Sequence, residues 1–304
     1  MLVPVERGRE WLTERCIAGF PTDFEVIRHP FTHRLLPSSL EAALIHSGAE
    51  GFFTCRPRVV MDADILRAVR RHTRRSAFWY LEGTSTFEDE AATLGHLGLF
   101  SGGFAISRQV AAAITARGAA CAVLPGAVDA SSFASATETD TVRERVGFVG
   151  VAKSSRGSIV RALIDDGVPV EVVGPGWERL VPAPCIVSDG LWGARCAAYY
   201  RSVKVAINID EWFPMSTSGL GTRPFEILAA GIGCLTNPID ELDEWFGGVP
   251  APFEVWSDVS TLVRAVRRWL DAPVRRWDTR SLLAGHTFGV RMAEVAKVLR
   301  ARGA

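Results

Sequence analysis

The chain has 304 residues, 48% of them hydrophobic, which suits one large or two medium domains with a buried core. Its 34 basic and 34 acidic side chains give zero net charge, which argues against nucleic acid as the main partner. No apolar run reaches membrane-spanning length, no signal pattern opens the chain, and six scattered cysteines without Cys-x-x-Cys spacing indicate a reduced, cytoplasmic protein.

The first part of the chain alternates short apolar runs with helical periodicity, which predicts a parallel α/β sheet covered by helices. The predicted strands are Met1–Val5, Phe24–Ile27, Gly51–Cys55, Ala77–Leu81, Phe100–Ser107 and Ala120–Pro125. The predicted helices are Arg7–Ala18, Ser38–Ser47, Met61–Arg75 and Gln109–Ala116. Small, polar and patternless residues at Ala134–Val142 then indicate a linker.

Three residues of this part are candidates for an acid–base role. Glu82 follows the strand Ala77–Leu81, and ligands of parallel α/β sheets bind outside the carboxyl ends of the strands. His33 and His96 are further candidates, because an imidazole titrates near neutral pH. One of the three would act as general base on an acceptor hydroxyl if the reaction inverts configuration.

A pair of acids opens the predicted helix Met61–Arg75. Asp62-Ala63-Asp64 has the spacing of a metal-binding D-x-D motif. The same residues suit the start of a helix, where acids cap the first turn and oppose the helix dipole. We favour the cap and predict no metal site.

The second part of the chain begins with a strand–loop–helix–strand unit of a parallel sheet, at Arg145–Val151, Ser158–Asp166 and Val168–Val173. Lys153 and Arg156 fall in its loop, where both can reach a diphosphate. The later predicted elements are the helix Gly193–Ser202, the strand Val203–Asn208, the loop Ile209–Leu220, the helix Asp240–Phe246, the strand Phe253–Trp256 and the helices Val259–Leu270 and Arg275–Arg300.

The stretch GLGTRPFEILAAGIGCLTN, Gly219 to Asn237, contains the strongest functional signal. Gly221 leads into a short helix that Thr222 or Arg223 can cap, and its unpaired N–H groups suit a phosphate. Arg223 adds a fork-shaped cation, and Glu226 is placed to accept hydrogen bonds from a vicinal diol such as a ribose. The simpler interpretation is an ordinary helix start with an acid in its first turn.

Several motifs of the second part resemble one enzyme family. RPFEILAAG followed by CLTNP is similar to the R-x-F-E motif of the CgeB-like branch of group 1 glycosyltransferases, which have the GT-B fold. VGFVGVAKSSRGSIVRAL and Gly174-Pro175-Gly176-Trp177 resemble further family segments, as does the closing HTF with its later arginine. The resemblance is clearest from Val146 to Arg300, and fainter from Ala77 to Phe133.

The resemblance implies roles for several residues. Glu226 would hold the ribose of a nucleotide donor. Gly150, Gly174 and Gly176 would let the backbone approach the ligand, and Trp177 would flank the nucleobase or simply pack. Many relatives carry another glutamate eight residues before the one that corresponds to Glu226, and this position is Ser218 here.

Together these patterns predict a GT-B fold of α/β class, with two Rossmann-like domains whose parallel sheets face across a cleft. Residues 1–140 would bind the acceptor, residues 141–285 would bind the donor, and a helix in 286–304 would cross back to the first domain.

The predicted activity is transfer of a hexose or deoxysugar from a UDP-, GDP- or TDP-sugar to a hydroxyl of a small natural product or glycan. We expect no cofactor, no metal and retention of configuration. Three alternatives stay open. They are a nucleotide-sugar epimerase or hydrolase of the same fold, a non-catalytic nucleotide-sugar-binding protein, and a metal-dependent GT-A enzyme that uses Asp62 and Asp64.

Overall fold

The computed structural model describes residues 1–60, 62–82, 95–134, 141–210, 213–214, 216–247 and 252–301. The acids Glu88, Asp89 and Glu90, most of the predicted linker and Trp212 lie outside these ranges. Contacts divide the chain into two compact units. Unit 1 comprises Met1–Pro125 and Thr287–Ala304, and unit 2 comprises Gly126–His286.

Each unit contains one parallel sheet of six strands, as the α/β prediction requires. The strands of unit 1 are β1 (Leu2–Glu6), β2 (Ile27–Phe31), β3 (Gly51–Thr54), β4 (Arg75–Tyr80), β5 (Gly102–Ala105) and β6 (Cys121–Val123). Those of unit 2 are β7 (Arg143–Val149), β8 (Val170–Val173), β9 (Ile186–Ser188), β10 (Val203–Asn208), β11 (Gly233–Thr236) and β12 (Phe253–Val255). Their orders are β2-β1-β3-β4-β5-β6 and β12-β11-β10-β7-β8-β9.

Helices alternate with the strands along both units. In unit 1 they are α1 (Trp11–Gly19), α2 (Pro37–Ser47), α3 (Ala63–His72) and α4 (Arg108–Thr115). In unit 2 they are α5 (Ala130–Ala134), α6 (Ser154–Asp165), α7 (Gly193–Ser202), α8 (Thr222–Ala229), α9 (Leu242–Phe246), α10 (Val259–Asp271) and α11 (Arg280–Leu283). The last helix, α12 (Phe288–Arg300), is part of unit 1. No helix within the described ranges is long and apolar enough to cross a membrane.

The central strands are mostly apolar and buried along their length because helices cover both faces of each sheet. All six residues of β10 and all four of β8 are buried. Their side chains join the two cores of unit 2, one on each face of its sheet. The rigid frame created by this packing fixes the loops that leave the carboxyl ends of the strands.

Both sheets have a topological switch point. β1 lies between β2 and β3, and β7 lies between β10 and β8, so successive connections leave the first strand of each unit in opposite directions. In such sheets the crevice at the switch point is the usual ligand-binding position.

Several predicted elements were wrong in place or extent. The helix predicted to begin at Ser158 begins at Ser154, so Arg156 lies in its first turn and not in the loop. The strand predicted at Phe24–Ile27 begins at Ile27 and continues through Pro30, which an edge strand tolerates because the missing N–H would face outward. The single helix predicted over Arg275–Arg300 is two helices, α11 and α12. Thr287 separates them, since its hydroxyl caps α12 by accepting a hydrogen bond from the Val290 N–H.

Candidate functional site at the carboxyl edge of unit 2

Arg156 spans the switch point of unit 2. It lies in the first turn of α6, after β7, and its Nε donates a hydrogen bond to the carbonyl of Ile209, which follows β10, at 3.0 Å. A second bond from Nη1 reaches the carbonyl of Val151 at 3.3 Å. The guanidinium is half-buried. Its two hydrogen bonds connect the segments that follow two neighbouring strands, at the position where this type of sheet usually binds a ligand. Lys153, at the N-cap position of the same helix, is exposed.

The Arg223–Glu226 pair of α8 forms the second charged feature of this edge. Nη1 of Arg223 donates to Oε2 of Glu226, and the glutamate side chain is only 3% exposed, against 30% for the arginine. The same guanidinium nitrogen lies 3.8 Å from the sulfur of Cys196 on α7. Burial raises the pKa of Glu226, while the Arg223 charge opposes the rise and Asp129 adds to it. Glu226 is thus held by an arginine of its own helix.

Cys196 stays protonated in this environment. Burial raises the pKa of its thiol to about 12, and the charge on Glu226 contributes to the rise while Arg223 counteracts it. The thiol is therefore a weak neutral acceptor for Arg223 and not a nucleophile at neutral pH.

The start of α8 differs from the predicted cap. Gly221 occupies the N-cap position and no side chain caps the helix, which begins at Thr222. The prediction that Thr222 or Arg223 would be the cap was therefore wrong. Pro224 stands within the first turn, where its missing N–H costs nothing. A Cβ on Gly126 would lie 2.7 Å from the Thr222 nitrogen, so only glycine lets that segment pass the helix start.

The loop before α8 is bound to a carboxylate that the sequence did not reveal. Oε1 of Glu241 accepts a hydrogen bond from the Ser218 hydroxyl, and Oε2 accepts one from the Gly219 N–H, each at 2.8 Å. Glu241 is 1% exposed and lies beyond β11, at the start of α9. Sequence analysis could not find this residue, because its partners are distant in sequence and no motif connects them.

Two of the three glycines predicted to contact the ligand lie close to each other. Gly150 donates its N–H to the carbonyl of Val173 at 2.8 Å, and a Cβ on Gly174 would lie 2.1 Å from the Gly150 carbonyl oxygen. Gly176 has a φ of 88° in the turn that follows. Close passage of two segments requires glycine at 174 beside Gly150, whereas the positive φ favours glycine at 176.

Trp177 is part of the core. Its side chain is fully buried, its indole N–H donates to the carbonyl of Gly150 at 2.9 Å, and its ring stands edge-on to Phe148 at a centroid distance of 5.5 Å. A ring in this position has no free face for a nucleobase. Of the two roles weighed from the sequence, the structure places Trp177 in packing.

Unit 1 gathers charged residues at the carboxyl edge of its own sheet. Glu82 follows β4 and lies 3.9 Å from Arg58, which follows β3. His33 follows β2, is exposed, and has a φ of 61°. Both residues lie at the carboxyl edge of this sheet, the position predicted for Glu82.

The structure adds a pair at the switch point of unit 1. Nη1 of Arg56, after β3, donates to Oε2 of Glu6, at the end of β1, at 2.5 Å. The rule that singled out Glu82, an acid where a strand ends, also applies to Glu6 and could have found it.

His96 does not join this group. It lies in a 3-10 turn, Gly95–Leu99, just before β5, and a Cβ on Gly98 of that turn would contact the Arg117 carbonyl before β6. Residues that precede parallel strands lie at the amino edge of the sheet, opposite to Glu82.

Asp62 has the capping role favoured from the sequence. It is the N-cap of α3, and its Oδ1 accepts a hydrogen bond from the Asp64 N–H at 2.9 Å. Its other oxygen is 3.3 Å from Arg34. Within the described part of the chain, no three His, Cys, Asp or Glu side chains cluster as ligands of a metal would.

Known proteins resemble this chain in sequence over one region and in fold over its whole length. Residues 156–297, just under half of the chain, match a family model described as glycosyl transferase-like. This region includes Arg156, Arg223, Glu226 and Glu241. A search of curated proteins found no match.

Three solved structures illustrate the similarity of fold. Sucrose-phosphate synthase from Thermosynechococcus elongatus aligns with a TM-score of 0.64 at 12% identity, over 98% of this chain and 99% of that chain. An α,α-trehalose 6-phosphate synthase from Burkholderia multivorans gives 0.57 at 13% identity, over 87% and 72%. UDP-GlcNAc 2-epimerase from Methanocaldococcus jannaschii gives 0.55 at 8% identity, over 97% and 99%.

At these identities the alignments bear on the fold alone. The two six-stranded parallel sheets with their helices have the GT-B architecture of the glycosyltransferases among these structures, which confirms the predicted fold class. The C-terminal region is glycosyltransferase-like in sequence.

Proposed function

We propose that the protein transfers a sugar from a nucleotide-diphosphate sugar to an acceptor hydroxyl, and that it is a member of the CgeB-like branch of these enzymes. The observation that carries the proposal is the position of Arg156. This cation joins the carboxyl ends of β7 and β10 at the switch point, inside the region that matches the glycosyl transferase-like family. A diphosphate is the ligand class suited to a guanidinium beside a helix start.

The donor site comprises Arg156, Lys153 and the first turn of α8. Arg156 and Lys153 bind the diphosphate, together with the uncapped N–H groups that begin at Thr222. Glu226 binds the ribose hydroxyls through the oxygen that Arg223 does not engage. Gly150, Gly174, Gly176 and Trp177 support the turn from within and do not touch the donor.

The acceptor is a hydroxyl of a small natural product or a glycan, and it binds at the carboxyl edge of unit 1. We propose a retaining reaction with hexosyl or deoxysugar donors in the cytoplasm. If the reaction inverts instead, Glu82 and His33 are the candidate bases, because both lie at that edge and His96 does not.

The positive groups of unit 2 stabilise the departing diphosphate, so we propose that no metal or cofactor takes part. Turnover should then be unchanged in EDTA. Loss of activity in EDTA that a divalent ion restores would contradict this part of the proposal.

A second function is favoured by one comparison. The similarity of fold to a UDP-GlcNAc 2-epimerase extends over nearly the full length of both chains. An epimerase or hydrolase of this fold would consume a nucleotide sugar without an acceptor. Incubating the protein with nucleotide sugars alone and analysing the products by NMR distinguishes it from a transferase.

A thermal-shift screen against UDP, GDP, TDP and their sugars tests the proposed donor site. A ligand that binds only the native state raises the Tm with its concentration. At a concentration one hundred times Kd the stabilisation is about 2.7 kcal/mol. A protein whose Tm responds to none of these compounds at millimolar concentration is not the proposed transferase.

A further inference from the structure

We propose that Glu241 is a positioning residue for nucleotide binding, because its carboxylate fixes the loop that leads directly into the first turn of α8. The inference rests on the proposed function for the identity of the ligand, but its structural part can be tested without any ligand. Glu241 itself would not touch the donor, because both of its carboxylate oxygens are bonded to the loop.

Glu241 holds two successive residues of the loop with its two carboxylate oxygens. The Ser218 hydroxyl and the Gly219 N–H are the donors, and Ser218, Gly219 and Glu241 are all buried. Burying a carboxylate costs hydration free energy that an apolar side chain would avoid. Because both donors lie in the loop, the carboxylate stabilises the conformation of the loop.

Neighbouring bonds fix the rest of the loop. The Asp240 N–H donates to the Thr217 carbonyl at 2.8 Å, and the Leu220 carbonyl accepts the Gly126 N–H at 2.8 Å. Gly219 has a φ of 119°, a conformation that side chains rarely adopt. The loop therefore has one defined path from Thr217 to Leu220.

Only Gly221 separates this fixed path from the helix. A Cβ on Gly221 would meet no atom within 4 Å, but its backbone lies against Gly126, whose Cβ would come within 2.5 Å of the Gly221 carbonyl carbon. The first turn of α8 continues this path, so we expect the residues before Gly221 to influence its direction, alongside the buried contacts of the helix itself. Glu241 is the side chain that holds those residues from outside the loop.

A carboxylate suits this place better than its closest substitutes. Glutamine has a single acceptor oxygen, so its amide nitrogen would face one of the two donors. Alanine would leave both donors buried without an acceptor. Many relatives carry a glutamate at the position of Ser218. In this protein the carboxylate beside Ser218 belongs to Glu241, which comes from another segment of the chain.

The test compares Glu241→Gln with two controls. Asp243→Asn changes an exposed acid on α9, and Asp258→Ala removes the cap of α10 and so lowers stability elsewhere in unit 2. Hydrogen exchange of the ligand-free proteins reports the loop, and calorimetric titration with UDP, GDP and TDP reports binding. We expect Glu241→Gln to accelerate exchange at Gly219 and Leu220 about tenfold and to raise the nucleotide Kd about tenfold.

The controls should leave both quantities at their original values. Unchanged loop exchange in Glu241→Gln overturns the proposal, and so does faster exchange with an unchanged Kd. An equal rise of Kd in Asp258→Ala also overturns it, because general destabilisation would then explain the effect.

Two further outcomes are informative. If the original protein binds no nucleotide, the proposed function fails, and a nucleotide-positioning role fails with it. If Glu241→Gln does not fold, Ser218→Ala replaces it, because this variant removes only one of the two donors. The expected change is then about threefold in each quantity, and no change in either would overturn the proposal.

Discussion

The two sheets carry different polar groups at their carboxyl edges. In unit 1 the edge includes the ion pair of Glu82 with Arg58, in which the side chain of Glu82 is 39% exposed. In unit 2 it consists of two helix starts with a buried pair, in which the side chain of Glu226 is 3% exposed. An exposed carboxylate changes its partner easily, whereas a buried pair is fixed in one geometry.

This difference suits two kinds of ligand. The diphosphate group is common to every donor of this class, so a rigid site can recognise it with little loss of entropy on binding. Acceptors vary between enzymes of one fold, and loops on a rigid frame accommodate that variation. The comparison predicts that changes at the carboxyl edge of unit 2 affect donor binding, and that changes at the carboxyl edge of unit 1 affect turnover alone.

Glu226→Ala should have the largest effect. It leaves Arg223 without its buried partner, and we expect the free energy of unfolding to fall by about 3 kcal/mol, at the lower end for buried pairs because Arg223 is partly exposed. Nucleotide affinity should fall about a hundredfold through the lost ribose contacts. Urea denaturation and calorimetric titration measure the two. Glu226→Gln, which keeps a hydrogen bond to Arg223, should be less destabilised, and an unchanged Kd in both variants would remove Glu226 from the donor site.

Arg156→Ala should come next. The change removes a cation from the switch point and its bond to the Ile209 carbonyl, so the Kd for a nucleoside diphosphate should rise about tenfold to a hundredfold. The affinity for the corresponding nucleoside should change little, because the nucleoside has no phosphate. Arg161→Ala is the matched control, since Arg161 is an exposed residue of the same helix paired with Asp165. Equal effects of the two variants would assign the loss to net charge alone.

Trp177→Phe separates packing from nucleobase binding. The smaller ring leaves a cavity and gives up the hydrogen bond to Gly150, so stability should fall by about 1–2 kcal/mol. The Kd for UDP, GDP or TDP, measured well below the Tm, should stay the same. If the Kd rises by different factors for the three nucleotides, Trp177 contacts the nucleobase and belongs to the donor site.

Glu82→Gln should have the smallest effect if the reaction retains configuration. A retaining reaction needs no base on the acceptor, so kcat should fall less than about tenfold and the donor Kd should not change. A loss of kcat of about a hundredfold or more would identify Glu82 as the base of an inverting reaction. Glu50→Gln, just before β3 at the amino edge of the same sheet, is the control. The anomeric configuration of the product, observed by NMR, provides an independent answer.

The sequence predicted the α/β class and most elements because local patterns encode them. The helix Gly193–Ser202 and the strand Val203–Asn208 have the predicted bounds, since each is a continuous periodic or apolar run between clear boundaries. The closing helices were harder, because a capping threonine inside a helical pattern resembles any other polar residue. Placing Glu82 and Arg156 at strand ends was possible since the carboxyl edge follows directly from strand order along the chain.

What the sequence alone determined is therefore most of the elements, the parallel sheets and the residues that follow the predicted strands. Only the tertiary structure decided which of these residues are exposed and which residues contact each other. It buried Trp177, paired Gly150 with Gly174, separated His96 from Glu82, and brought Glu241 to Ser218 and Gly219. The physical reason is that burial and hydrogen-bond partners depend on contacts between distant segments, which no local pattern records.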